Sequence, residues 1–135
     1  MEIRLFSALI MEKEMKILDL PLKKKWYEMI ESGIKTEEYR EIKPYWCNRL
    51  LFMYPFITQY WEGILERVKK GEIDFDEVLL EHGTRDYTHI RFRYGYTKRT
   101  MLFELKGITI GKGNTEWGAP EDKEVFILKL GDRIA

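Results

Sequence analysis

The sequence predicts a single α+β domain, with helices in the first half of the chain and strands in the second. Apolar residues recur at helical spacing in the first half, and from His89 onward they alternate with polar residues as in a strand. The 135 residues are the size of one ordinary domain, and 44% of them are hydrophobic, enough to build a core. Because strands follow helices, we expect the strands to close into a small β-barrel flanked by the helices.

A short strand and a helix open the predicted fold. The strand is expected around Met15–Leu18, and the helix at Pro21, because the N–H that proline lacks would have no partner in a first helical turn. Apolar residues at helical spacing continue this helix to Gly33, the expected C-terminal stop. The segment Lys35–Arg40 follows as a predicted strand.

Three helical segments and three strands are predicted next. A short helix begins at Pro44, and a longer one follows Pro55 and ends at Gly71, since the apolar residues between them keep helical spacing. One or two further helical turns are expected at Phe75–Leu79. The remaining strands are expected at His89–Tyr94, Thr100–Ile110 and Glu124–Leu130.

The net charge of zero conceals an uneven distribution. Residues 62–81 carry seven acidic and three basic side chains, a net charge of −4, whereas residues 84–112 carry seven basic and two acidic ones, a net charge of +5. Nucleic acid binds to a local basic face rather than to a total charge, so neutrality does not exclude a nucleic acid partner. Ordinary solvated surfaces would explain the same distribution.

Composition excludes several classes of protein. Cys47 is the only cysteine, which rules out a disulfide framework and a cysteine-rich zinc site. The longest apolar runs, such as Leu50–Met53, are far shorter than the roughly 20 residues of a membrane helix. Polar residues interrupt the N-terminal apolar stretch, so no signal peptide is predicted. We therefore expect a cytoplasmic protein without a membrane partner; whether Met1–Glu14 belongs to the fold stays open.

One short motif carries a resemblance to a known family. Residues 33–40 read Gly-Ile-Lys-Thr-Glu-Glu-Tyr-Arg and match the pattern G-x-K-x-x-E-x-R. Here the chain resembles the ASCH domain family, relatives of the PUA fold that occur in RNA-modifying proteins. The helix upstream resembles the opening helix of that family, and Glu116–Gly118 and Phe126–Gly131 resemble the closing strands of its small phage and bacterial members.

The resemblance covers about residues 15–46 and 87–134. It implies a PUA-like β-barrel with helices beside it and a cleft in which the motif side chains face a ligand. The intervening helical segment, about residues 50–83, is interpreted as an insertion, and residues 1–135 as one ASCH-like domain.

The resemblance also implies binding of RNA or a nucleotide in RNA metabolism. Some members of the family resemble ribonucleases, and a bacterial branch hydrolyses the amide of N4-acetylcytidine. The motif lysine of that branch corresponds to Lys35, but its threonine nucleophile stands where this chain has Glu38. A carboxylate cannot take over the role of a hydroxyl in that reaction without a change of mechanism.

The candidate site combines the motif with basic and aromatic residues elsewhere. An enzyme would use Lys35 and Glu38 as an acid–base pair. A binding protein would hold phosphate with lysine or arginine and stack a base on an exposed ring, for which Trp117 is the best placed because it lies in a loop. The expected binding residues are Gly33, Lys35, Glu38, Tyr39, Arg40, Lys98, Arg99 and Trp117.

Several of these features have a purely structural alternative. Glu38 and Arg40, two apart on one strand face, would form an ion pair worth less than about 1 kcal/mol if exposed. Trp26 and Trp61 lie on helical apolar stripes and are predicted to be core residues. Gly111–Asn114 either cradles an anion with backbone N–H groups or forms a plain hairpin loop.

Three functions stay open. The first is an RNA- or nucleotide-binding domain, favoured by the motif and the basic segment. The second is a small hydrolase, either a ribonuclease or an amidohydrolase on a modified nucleoside. The third, not favoured, is an accessory protein whose segment 50–83 binds a partner protein. No cofactor and no metal are predicted, since His82 and His89 have no carboxylate at ligand spacing.

Overall fold

The computed structural model of this chain describes residues 14–52 and 58–135, and within them four α-helices and five β-strands. In chain order these are β1 (Ile17–Leu22), α1 (Lys24–Glu31), β2 (Glu37–Glu41), α2 (Pro44–Leu50), α3 (Thr58–Lys69), α4 (Phe75–His82), β3 (His89–Tyr94), β4 (Thr100–Gly111) and β5 (Val125–Arg133). Hydrogen bonds order the strands β1-β3-β4-β5-β2. The predicted α+β class is confirmed.

Most predicted elements form where the sequence places them. Pro44 is the first residue of α2, and α3 ends at Lys69, two residues before Gly71, which has a φ of 76°. Helix α4 begins after Asp74, whose carboxylate accepts a hydrogen bond from the N–H of Asp76 as an N-terminal cap. Strands β3, β4 and β5 lie within a few residues of their predicted bounds. The predicted start of α3 after Pro55 falls outside the described residues.

The predicted helix start at Pro21 is wrong. Strand β1 continues through Pro21 to Leu22, and α1 begins only at Lys24. The residues from Leu18 to Leu22 alternate between buried leucines and exposed residues, which is the two-residue period of a strand. Proline is tolerated because β1 stands at one end of the strand order within residues 14–52 and 58–135, and an end strand pairs on one side only.

The chain folds into two compact units, each built from discontinuous segments. Unit one contains residues 14–35, 86–106 and 130–135. In it β1 pairs in parallel with β3, and β3 pairs antiparallel with the first half of β4. Helix α1 contacts β3, with the rings of Tyr27 and Tyr94 edge to face at 5.0 Å between centroids. Its core consists of Leu18, Leu20, Leu22, Tyr27, Ile30, Ile90, Phe92, Met101, Phe103 and Leu130.

Unit two contains residues 36–52, 58–85 and 107–129. Strand β2 pairs antiparallel with the first half of β5, so that Glu38 lies opposite Leu128 and Arg40 opposite Phe126. Helix α2 packs against α3, and Trp61 on α3 is fully buried, which confirms its predicted place in the core. Beyond Trp61, the apolar stripe of α3 is only half-buried.

Two further sequence expectations concern the whole chain. Within residues 14–52 and 58–135 the structure contains no helix long and apolar enough to cross a membrane. The assignment of residues 1–135 to one domain and of residues 50–83 to an insertion stays a prediction.

Candidate functional site

The motif begins at the end of α1, where Gly33 ends the helix as predicted. Its φ of 85° lies in the left-handed region, which glycine adopts without steric cost. The N–H of Gly33 donates to the carbonyl oxygen of Ile30 at 3.1 Å, and the N–H of Lys35 donates to that of Met29 at 3.0 Å. These bonds satisfy carbonyl groups at the helix end and fix the backbone of Lys35 directly after the turn.

Lys35 is the last residue of the motif within unit one, and only 1% of it is exposed. Its Nζ atom lies 4.8 Å from the centroid of the Trp26 ring, and the Nζ atom of Lys25 lies 4.7 Å from the same centroid. A ring face attracts a cation, most strongly where water is excluded. Trp26, predicted to be a core residue, is half-buried and contacted by two lysines.

Glu38 and Arg40 form an ion pair in unit two, as their positions on one strand face predicted. The Oε2 atom of Glu38 lies 3.4 Å from Nη1 of Arg40, and Oε1 accepts a hydrogen bond of 3.0 Å from the N–H of Tyr39. The arginine also donates to the carbonyl oxygen of Tyr39 at 2.7 Å. The exposed fractions of the side chains are 17% for Arg40 and 6% for Glu38, so the alternative of an exposed surface pair does not hold.

Arg40 also contacts an aromatic cluster at the start of α2. Its guanidinium carbon lies 5.1 Å from the centroid of Trp46, and that of Arg49 lies 5.4 Å from the same centroid. Tyr45 meets Trp46 edge to face at 4.8 Å and accepts a hydrogen bond of 3.3 Å from Arg49. Sequence reasoning missed Arg49, although it stands three and four residues after the two rings, the spacing that brings helical side chains together.

A cavity of about 320 Å³ opens beside Arg40 within unit two. Two of its lining side chains are basic, Arg40 and Lys123, and two are acidic, Glu41 and Glu124. The remaining lining residues are Tyr39, Gly118, Pro120 and Val125.

Tyr39 is packed and hydrogen-bonded rather than presented to solvent. Its hydroxyl donates to Glu37 at 2.8 Å and accepts from the N–H of Asn114 at 3.0 Å. Burial raises the pKa of Tyr39 to about 12, reinforced by the carboxylate of Glu37 and opposed by the bond from Asn114. Tyr39 packs in a cluster with Ala119, Val125 and Ile127, and Trp117 packs half-buried against it. The predicted stacking residue Trp117 therefore offers part of its ring to solvent and part to this cluster.

Gly113 lies in the segment Gly111–Asn114, for which the sequence left open an anion cradle or a plain hairpin loop. In the structure this glycine has a packing role. A Cβ atom at this position would lie 2.5 Å from Cε1 of Tyr39 and 2.7 Å from Cβ of Ala119. The glycine is therefore needed for the close approach of the loop to the tyrosine ring, which favours the plain loop.

Lys98 and Arg99 lie in unit one, at the turn between β3 and β4. Both are exposed, but Arg99 already has partners: it donates two bonds to the carboxylate of Glu31 at 2.7 and 2.8 Å. Its guanidinium carbon lies 5.3 Å from the ring of Tyr27 and 4.9 Å from that of Tyr94. This geometry links the turn to α1 within unit one.

Other reactive side chains are engaged elsewhere. Nε2 of His82 shares a hydrogen bond of 2.8 Å with the hydroxyl of Tyr60, and Nδ1 of His89 shares one of 2.7 Å with Thr88. Cys47 is fully buried, and burial raises the pKa of its thiol to about 12, which removes it as a nucleophile. Within residues 14–52 and 58–135, no three His, Cys, Asp or Glu side chains are placed to hold a metal ion.

No protein-family model, curated protein or solved structure matches this chain. The resemblance to ASCH domains therefore depends on the motif and its surroundings, and the assignments of its residues stay predictions.

Proposed function

We propose that this chain is an ASCH-like domain of PUA-like fold that binds RNA or a nucleotide through Glu38 and Arg40 in unit two; the part of Lys35, in unit one, stays a prediction of the motif. The burial of two motif charges carries the proposal. Among the side chains that the structure describes, Lys35 and Glu38 are the only charged ones that are almost fully buried, with 1% and 5% of each residue exposed.

Burying a charged side chain costs free energy, so it matters where in the chain the buried charges lie. An ammonium or carboxylate loses its hydration in the interior, so charged residues are almost never fully buried unless they are paired. Functional sites are one of the places where a fold holds ionisable groups away from water. Both buried charges fall within one motif of eight residues. The ammonium of Lys35 lies over the ring of Trp26, and the carboxylate of Glu38 lies beside the guanidinium of Arg40.

The chemistry of the motif suits a nucleotide. Guanidinium and ammonium groups bind phosphate, and a carboxylate accepts hydrogen bonds from the amino groups of bases. The cavity beside Arg40 measures about 320 Å³, within the range of roughly 300–1,000 Å³ that is usual for ligand sites.

Fluorescence anisotropy with a labelled oligouridine at low salt tests this proposal. Arg40→Gln should weaken binding by about tenfold and reduce its dependence on salt, because one charged contact to phosphate is lost. Arg67→Gln is the matched control, since Arg67 also pairs with a carboxylate in unit two but is exposed. Absence of binding in the wild type, or equal loss in the two variants, would overturn the proposal.

A hydrolase is the second candidate, because Glu38 in unit two, which would serve as its acid or base, is sheltered from solvent. Incubation with single-stranded RNA and with N4-acetylcytidine, followed by product analysis, tests it. Product that forms with the wild type but not with Glu38→Gln would support catalysis. Equal product from both would exclude Glu38 as a catalytic residue.

A further inference from the structure

The segment that follows the motif combines basic and aromatic side chains. Residues 40–49 contain three basic residues, one acidic residue and two neighbouring aromatic residues, a net charge of +2. The one acidic residue, Glu41, lies 3.9 Å from the ammonium of Lys43. Positive charge beside exposed rings is the combination that binds single-stranded nucleic acid, because phosphates need the charge and bases stack on the rings.

The structure brings these side chains into one cluster. Guanidinium groups of Arg40 and Arg49 lie over the ring of Trp46, at 5.1 and 5.4 Å, and Tyr45 packs edge-on against the same ring. Trp46 is half-buried, whereas 55% of Tyr45 is exposed. Tyr45 is therefore the more exposed of the two rings, and the guanidinium carbon of Arg49 lies 5.9 Å from its centroid.

Arg40 belongs both to this cluster and to the cavity of the candidate site. It lines the cavity of about 320 Å³ and also lies over Trp46, within the same unit. A nucleotide held in the cavity would thus have its neighbour along the strand beside Trp46, Tyr45 and Arg49.

We propose that Tyr45, Trp46 and Arg49 form a second subsite, which takes the adjacent nucleotide of a single-stranded RNA. Tyr45 stacks on the base, and Arg49 contacts the phosphate. The inference rests on the proposed function and specifies its substrate class: an RNA strand of two or more nucleotides binds more tightly than a free nucleotide.

Two probes, uridine monophosphate and a short labelled oligouridine, separate the two subsites. Tyr45→Ala should lower the affinity for the oligonucleotide by about tenfold and leave the affinity for the mononucleotide within about twofold, because only the stacking of the second base is lost. Tyr45→Phe should retain the affinity for the oligonucleotide, since the ring remains. Tyr96→Ala is the matched control, because Tyr96 is a fully exposed ring in unit one.

The outcomes distinguish this inference from the proposed function. If neither probe binds to the wild type, the proposed function fails and the inference fails with it. If both probes bind but Tyr45→Ala changes neither affinity, the proposed function stands and the second subsite is excluded. Equal loss for the two probes would also overturn the inference, because the ring would then serve the first nucleotide.

Discussion

Two ion pairs of equal length lie in different surroundings within unit two. Glu38 and Arg40 on β2 are 3.4 Å apart with 6% and 17% of their side chains exposed. Arg67 in the last turn of α3 and Glu72 after that helix are also 3.4 Å apart, with 56% and 54% exposed. The exposed pair is worth at most about 1 kcal/mol, because water and salt screen it. The buried pair loses its hydration, and this loss can exceed the attraction between the charges.

Two ion pairs with the same N···O distance can therefore have different roles. A chain that needed only stability at β2 would do as well with apolar residues there, since apolar residues of similar volume often replace a buried pair without loss. On the proposed function, the buried pair serves the ligand, whereas the exposed pair is an ordinary surface pair.

The largest expected effect is that of Glu38→Gln. Removing the carboxylate leaves the guanidinium of Arg40 mostly buried without its counter-charge, and we expect a loss of about 3 kcal/mol in the free energy of unfolding. Glu72→Gln at the exposed pair should cost less than about 1 kcal/mol. Urea unfolding of both variants measures the difference, and equal losses would contradict the distinction between the pairs.

Gly113→Ala tests the packing around Tyr39, which is adjacent to Glu38 on β2. The added methyl group would collide with the tyrosine ring and with Ala119, and we expect destabilisation of about 2 kcal/mol. Gly63→Ala is the control: Gly63 lies in α3 with nothing within 4 Å of an added Cβ, so alanine should stabilise the helix by up to about 1 kcal/mol. Similar thermal midpoints for the two variants would be inconsistent with this packing.

Tyr39→Phe removes two hydrogen bonds, those to Glu37 and Asn114, and should cost about 1 kcal/mol at neutral pH.

The wild type should also lose stability as the pH rises from 10 towards 12. In that range the unfolded tyrosine, with a pKa near 10, has released its proton, whereas the folded one, with a pKa of about 12, retains it. The folded state then binds more protons than the unfolded state, so the free energy of unfolding falls with pH.

Unfolding measured across this pH range, together with tyrosinate absorbance, checks the assignment. The part of the alkaline decline that belongs to Tyr39 should be absent in the phenylalanine variant. A decline of the same size in both proteins would assign it to other groups.

The smallest expected effect is on the rate at which Cys47 reacts with a thiol reagent, which measures local opening of α2. The thiol is buried and its pKa is raised to about 12, so reaction with a thiol reagent at neutral pH should be slow in the native wild type and fast in urea. Glu38→Gln should accelerate the native reaction, since it weakens the unit that contains α2, and Glu72→Gln should change it little. Rapid reaction of the native wild type would contradict the buried environment of the thiol.

Local sequence signals predicted much of the fold. Pro44 at the start of α2, Gly33 after α1 and the alternation from His89 each act within a few residues, and each element formed where expected. Proline at position 21 is a signal for a helix start, but the alternation of leucines around it is the stronger signal and gives a strand. The end position of β1 in the sheet, which makes the proline tolerable, depends on pairing with β3, which is far away in sequence.

The candidate site was predictable in part. The motif predicted Lys35, Glu38 and Arg40 as site residues, which stays a prediction, and strand geometry predicted the ion pair between the last two, which the structure contains. Burial of Lys35 and Glu38, the close approach of Gly113 to Tyr39 and the second cation on Trp26 depend on tertiary packing, which the spacing of residues along the chain does not encode.

The most direct test of the central claim replaces both members of the buried pair at once. For Glu38→Met with Arg40→Met we expect stability within about 1 kcal/mol of the wild type, because two apolar side chains fill the space without burying a charge. The affinity of the same protein for oligouridine should fall by about tenfold or more, as the guanidinium is lost. Unchanged RNA affinity together with a loss of several kcal/mol in stability would contradict the account, because the pair would then serve the fold and not the ligand.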